Sequence, residues 1–356
     1  MQLFHCAHCH NLVYFENHRC VSCGHALAYL PDHRMVASLE GEGEERTTPA
    51  APGQKYRLCA NYTKNQTCNW AVPVESPHEL CESCRFTQVI PDLSQPDSLA
   101  AWYKLEIAKR RLLYEIISLG LPLVPKADDA ANGLAFEFLA DAPADGAAPV
   151  LTGHTNGLIT IALAEADDAE RERRRQQHHE PYRTLLGHFR HEIGHYYWDR
   201  LIRDTGWLGE FRATFGDETA DYAMALQKHY AAGAPENWQE RFISAYASAH
   251  PWEDWAETWT HYLHMVDSLE TAEASGVRVD SLRNGPVATD EFDEMLQEWQ
   301  GITHTLNNLN RSLGLQDAYP FVLSPPAREK MRFVHRVIRS AANSSAEISS
   351  ARVLSA

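Results

Sequence analysis

No cysteine follows Cys84 in this 356-residue chain; all eight lie in its first quarter, at Cys6, Cys9, Cys20, Cys23, Cys59, Cys68, Cys81 and Cys84. A disulfide framework spanning the chain is thereby excluded, and the composition marks a module boundary. Also missing is any run of about 18 uninterrupted apolar residues of the kind that crosses a bilayer. The opening MQLFHCAHCHNLVYF lacks a basic segment followed by an apolar run and a small-residue cleavage site. The expectation is a cytoplasmic protein that neither spans nor binds a membrane. Positive charge is scarce: Lys+Arg 32 against Asp+Glu 48 gives a formal net charge of -16. Such a surface repels phosphate backbones, which disfavours nucleic-acid binding. The basic run RERRR at residues 171–175 reads as the solvated face of a helix.

What the first quarter does contain is metal-ligand spacing. Cys6-Ala-His-Cys9 and Cys20-Val-Ser-Cys23 are two C-x-x-C pairs ten residues apart, a spacing at which two tight turns offer four thiolates to one tetrahedral zinc. Disulfides are the competing reading, and they need an oxidising compartment. The second set, Cys59, Cys68, Cys81 and Cys84, has a single C-x-x-C, so its zinc rests on count and proximity. The expected complement is one or two structural zinc ions. His5, His8, His10, His18 and His25 crowd the same stretch and could each replace a thiolate. Ribbons this short fold because metal binding supplies the energy a core would otherwise provide. They can also recognise a protein partner. Residues 39–53, LEGEGEERTTPAAPG, read as a flexible linker. The expected organisation is a zinc ribbon at 1–38, that linker, a second four-cysteine module at 54–94, a main domain at 95–340 and a disordered tail at 341–356.

The main domain reads as α+β, mainly helical with a small sheet. Leu99, Trp102, Leu105, Leu112, Leu113, Ile116 and Ile117 follow a helical period that stops at Gly120 and Pro122. Two short apolar runs, LAFEFL and LITIAL, read as strands. A helix opened by Pro181 then carries RHEIGHYYW. His191 and His195 lie four apart, so both reach one ion from one face, with Glu192 beside them and free to act as general base. With 19 histidines in the chain, H-E-x-x-H arises by chance in about one random sequence in fifteen. A third ligand is therefore needed, since a catalytic zinc takes three protein ligands and keeps one position for water.

The metzincin pattern puts that ligand six residues after the second histidine, with a glycine midway, but Leu201 and Trp198 occupy those positions. In SAYASAHPWEDWAETWTHYLHM, residues 244–265, Glu253, Glu257 and His261 are successive i, i+4 neighbours on one helical stretch. Either glutamate could be the ligand on spacing alone. His261 and His264 read as packing residues. Asp217 and Asp221, one turn apart in FGDETADYAMAL, could supply an ion site, with helix capping by Asp217 the plainer reading.

The glutamate pair resembles that of the gluzincin metallopeptidases, which implies Glu253 as zinc ligand and Glu257 as the acid that orients His191. E-D-W-A-E, with Tyr246 seven residues ahead of Glu253, is further similar to the lethal-factor type, which implies Tyr246 as a stabiliser of the transition state. The cysteine ribbons together with TGHTNGLITIALAEADDAERERRR, YRTLLGHFRHEIGHYYW and HPWEDWAETWTHYLHM resemble a bacterial family of zinc-binding metallopeptidases with an N-terminal zinc ribbon. The resemblance implies a zincin-like domain, one catalytic zinc and a peptide or protein substrate. It also implies that LITIAL is an edge strand pairing with substrate. The competing functions are a ribbon adaptor that binds zinc without turnover and a nucleic-acid-associated protein.

Overall fold

The structure, a computed structural model, describes residues 1–141, 150–177, 184–279, 288 and 290–354. The helix start expected at Pro181 lies outside them. The chain divides into two compact units, Gln2–Ser118 with Leu123–Glu170, and Met1 with Leu119–Pro122 and Arg171–Ala356. Among the described residues no helix is long and apolar enough to cross a membrane.

The cysteine-bearing unit begins with an antiparallel pair, β1 (Phe4–His5) and β2 (Leu12–Val13). A second pair follows, β3 (Ala26–Leu30) and β4 (Met35–Leu39), with Ala28 opposite Ala37. Four consecutive residues of each of these strands are buried, so both faces are covered rather than one. A third pair, β5 (Tyr56–Leu58) and β6 (Ala71–Pro73), flanks α1 (Ala60–Asn65). One small core joins the second and third pairs: Ala28, Leu30, Ala37, Leu39, Ala51, Tyr56 and Ala71.

Ala51 belongs to the stretch expected to be a flexible linker, and that expectation is corrected. Glu40 and Thr47 exchange backbone hydrogen bonds at 2.8 and 3.1 Å, and Arg46 and Tyr56 do so at 2.8 Å each. Residues 39–53 therefore supply backbone partners to β5 and an alanine to the core. Exposed strand edges need such partners, whatever the composition of the segment that provides them.

The same unit carries a four-stranded sheet of β7 (Thr87–Val89), β8 (Ala135–Leu139), β9 (Gly153–Thr155) and β10 (Leu158–Ala162), ordered β7-β8-β10-β9. Strand β10 is parallel to β8 on one side and antiparallel to β9 on the other. LITIAL is thus no edge strand, and it has no free backbone along Leu158–Thr160 for a substrate. The cause is local: Asn156 (φ 47°) and Gly157 (φ 80°) form a two-residue turn that folds β9 back onto β10. Helix α2 (Ser98–Ser118) buries Trp102, Leu105, Leu112, Leu113 and Ile116 as its periodicity predicts, while Leu99 is exposed.

The division between units falls within α3 (Asp168–Gln177). The second unit contains α4 (Leu185–Leu201), α5 (Leu208–Phe215), α6 (Tyr222–Ala232), α7 (Pro251–Ala274), α8 (Glu291–Ser312) and α9 (Pro325–Leu354). Thr184 caps α4 by accepting a hydrogen bond from the Gly187 N–H at 3.0 Å. Residues 244–265 are not one helix: α7 starts at Pro251, behind an extended His250 (φ -158°, ψ 149°). Proline pushes the preceding residue out of the helical region and then serves as the first helical residue. Tyr246 accordingly sits on a separate short turn, Tyr246–Ser248. Helix α9 continues to Leu354, through the stretch expected to be a disordered tail; no glycine or proline follows Pro326 to stop it.

Helices α4 and α7 touch at Gly194, where a methyl group would lie 3.2 Å from Ala256 Cα and 3.2 Å from Trp259 Cδ1. The Gly194 carbonyl also accepts from Trp255 Nε1 at 2.8 Å. Gly194→Ala is expected to force the helices apart and destabilise the fold by about 1–3 kcal/mol. The shift in a urea unfolding midpoint measures this, and an unchanged midpoint would refute the close approach.

Candidate metal centre

Helix α4 presents His191 and His195 from adjacent turns, and α7 presents Glu253 from its first turn. Glu253 Oε2 lies 3.0 Å from His191 Nε2 and 3.5 Å from His195 Nε2, and the two Nε2 atoms are 3.2 Å apart. Bonds of 2.0–2.1 Å to a tetrahedral zinc place ligand atoms about 3.3 Å from one another. The other ring nitrogen of His191, Nδ1, donates to Glu257 Oε1 at 2.7 Å, so in the neutral ring, the form that binds a metal, Nε2 would be the lone-pair nitrogen facing Glu253 and His195. Three electron-pair donors then converge on one point, an arrangement that calls for a cation. The donor set of two imidazoles and a carboxylate fits zinc.

The surroundings hold this geometry. Glu257 Oε2 accepts from Ser244 Oγ at 2.6 Å, and Glu253 Oε1 accepts from Tyr222 Oη at 2.5 Å. The Trp252 ring packs 3.9 Å from that of His195. Of the two glutamates left open by spacing, Glu253 faces both Nε2 atoms and Glu257 faces Nδ1. Tyr246 lies with its ring 6.0 Å from the His191 ring. Glu192 is buried beside the histidines.

Electrostatics follow from this crowding. Burial opposes a charge on His191, yet Glu253 and Glu257 together hold it well above the usual imidazole range. Burial likewise disfavours the Glu253 carboxylate, but His195 and His191 hold it well below the ordinary value. For Glu192 burial prevails over both histidines and raises its pKa. Burial, then the charge of Glu253, keeps the Tyr246 phenol protonated.

The remaining predicted residues find other roles. Asp221, not Asp217, caps a helix, accepting from the Met224 N–H at 2.9 Å; Asp217 accepts from the backbone and hydroxyl of Thr219. His261 is buried with its Nδ1 2.6 Å from Tyr319 Oη, and burial pushes it down to about 4. Tyr222 and Ser244 carry no signal in the sequence. No spacing rule points to them, because both act on α7 from outside it.

Both cysteine sets close up in space. Cys6 and Cys23 Sγ are 3.6 Å apart, as are Cys9 and Cys20, and Cys68 and Cys81. Those separations are far from the ~2.05 Å of a disulfide and near the ~3.8 Å of thiolates sharing a tetrahedral zinc. Backbone N–H groups of Trp70 and Cys81 reach Cys68 and Cys59 Sγ at 3.3 Å. Each set brings together four cysteines without a histidine of the first stretch. His8, His25 and Glu40 hold donor atoms within 4.8 Å of one another. The imidazoles of that trio stack at 3.9 Å, however, so their in-plane lone pairs run side by side rather than converge.

Fold and site together define a class: a zinc-binding protein with an N-terminal cysteine ribbon and a helical site of two histidines and one carboxylate. The chain belongs to the family described as "Putative zinc-binding metallo-peptidase", which matches residues 98–337; residues 3–95 match a zinc-ribbon domain. Uncharacterized proteins of Mycobacterium bovis and of two Mycobacterium tuberculosis strains are each 43% identical to it over 344 residues, covering 95% of this chain and 95% of each relative. No solved structure matches the chain.

Proposed function

We propose that the protein is a zinc-dependent peptidase of gluzincin type, acting in the cytoplasm, with one catalytic zinc at His191, His195 and Glu253 and a structural zinc in each four-cysteine set. The observation that supports this most is the meeting of two imidazole Nε2 atoms and one carboxylate oxygen within 3.0–3.5 Å, with a second buried carboxylate, Glu192, alongside. Zinc bound there supplies a Lewis acid that polarises a peptide carbonyl and lowers the pKa of water from ~15.7 toward about 7.

The residues supply the rest. Glu257, steadied by Ser244, fixes the tautomer and orientation of His191. Glu192 takes a proton from the attacking water on a carboxylate oxygen and delivers it to the leaving amine. Its raised pKa suits both halves of that transfer. The Tyr246 phenol donates to the oxygen that becomes negative in the tetrahedral intermediate. The ribbons are the surface for a protein partner. Cleavage of a broad peptide library, abolished by a chelator and restored by zinc, is the expected result. No cleavage of any member by the zinc-loaded protein would favour an adaptor that binds metal without turnover.

A further inference from the structure

We infer that Tyr222 is a positioning residue for the metal: its hydroxyl holds Glu253 Oε1, so that Oε2 alone is presented to zinc. This rests on the reading of His191, His195 and Glu253 as the ligand set. A carboxylate can bind zinc through one oxygen or two, and the second mode consumes the position that a peptidase keeps open for water. In the structure the two oxygens are separated in role. Oε2 faces both imidazoles, at 3.0 and 3.5 Å, while Oε1 accepts from Tyr222 Oη at 2.5 Å. A phenol is protonated at neutral pH and donates one hydrogen bond, which suits an acceptor-only carboxylate oxygen. Glu253 is 1% exposed, so an Oε1 without that donor would be a buried charged acceptor left unpaired.

The tyrosine itself is held in place. It opens α6, which Asp221 caps. Its ring packs edge-on against His250 at 5.3 Å and Trp252 at 5.7 Å. His250 is fixed in turn, its Nδ1 accepting from the Trp252 N–H at 3.1 Å and its Nε2 donating to the Ala220 carbonyl at 3.1 Å. Ala220, two residues before Tyr222, and the start of α7 are thereby tied through one imidazole, which fixes the distance from the phenol to Glu253. Helix α6 buries none of its residues, so the contribution of Tyr222 lies in this hydrogen bond and its ring contacts rather than in a core.

The test uses the full-length chain and zinc itself. Tyr222→Phe keeps the ring and removes the hydroxyl. Competition with a chromophoric chelator should show about 10- to 100-fold weaker zinc binding at the histidine site, with zinc in the cysteine sites retained. Cobalt(II) replacing that zinc should show an altered visible band, as the second carboxylate oxygen becomes free to bind the ion. Met224→Ala, on the exposed side of the same helix, should change neither. An affinity within twofold of wild type with an unaltered cobalt spectrum overturns the inference, as does an equal loss in Met224→Ala, which would assign the effect to α6 as a whole. His191→Ala separates the two levels. If it releases no zinc, the ligand reading itself fails; if it releases one zinc while Tyr222→Phe binds normally, only the role of Tyr222 fails.

Discussion

Glu192→Gln is expected to retain its full zinc content and to lose about 10²–10⁴-fold in peptide turnover, the range by which a positioned general base accelerates reactions of this kind. Glutamine preserves shape and hydrogen bonding but cannot carry the proton from water to the leaving amine. The residue is 8% exposed, and burial raises its pKa against the pull of His191 and His195, so the site increases its proton affinity. Because its side chain is not among the three that converge on the metal, zinc should stay. Turnover within a few fold of wild type would remove Glu192 from the mechanism, and loss of zinc would make it a ligand or a support instead. Library cleavage and elemental analysis on the same preparation read both.

Arg110→Leu should destabilise the cysteine-bearing unit by about 3–5 kcal/mol, the usual consequence of leaving a buried charge unpaired. Arg110 is 1% exposed on α2; its Nη1 donates to the Thr67 carbonyl at 2.5 Å and lies 3.8 Å from Glu106 Oε2. Burial opposes its charge, but Cys68, Glu106, Cys84 and Cys81 outweigh that and raise its pKa. Four thiolates around one Zn2+ would carry -4 + 2 = -2, and Lys109 already pairs with Glu106 at 2.8 Å. Arg110 is therefore a cation whose charge answers those of the thiolates. Leucine fills the space without answering the charge, so zinc should also be released to a chelator faster from the Cys59 set. A midpoint shift worth under about 1 kcal/mol, with unchanged zinc release, would show that the thiolates need no such partner.

Where one element decides a feature, that feature is legible in the sequence. The i, i+4 spacing of His191 and His195, the paired C-x-x-C turns and the apolar period of α2 all follow from local geometry. Features decided between elements are not. Residues 39–53 look like linker because Gly, Glu and Pro dominate them, yet Arg46 bonds to Tyr56 and Ala51 enters a core whose other members come from four separate strands. Tyr222 reaches Glu253 across 31 residues, and no periodicity connects them. Choosing between Glu253 and Glu257 also needed the second helix, since both lie on one face of α7. Strand β9 is a different matter. Asn156-Gly157 between polar and apolar runs is a hairpin signal readable in advance, and it already implied a neighbour for LITIAL.

The proposed function requires one cation enclosed by His191, His195 and Glu253, and anomalous diffraction from crystals at the zinc edge tests this most directly. The predicted map has a peak about 2.0–2.2 Å from both Nε2 atoms and from Glu253 Oε2, in addition to one in each cysteine set. Peaks at the cysteines alone, with the Glu253 side chain turned from the two imidazoles, would contradict it.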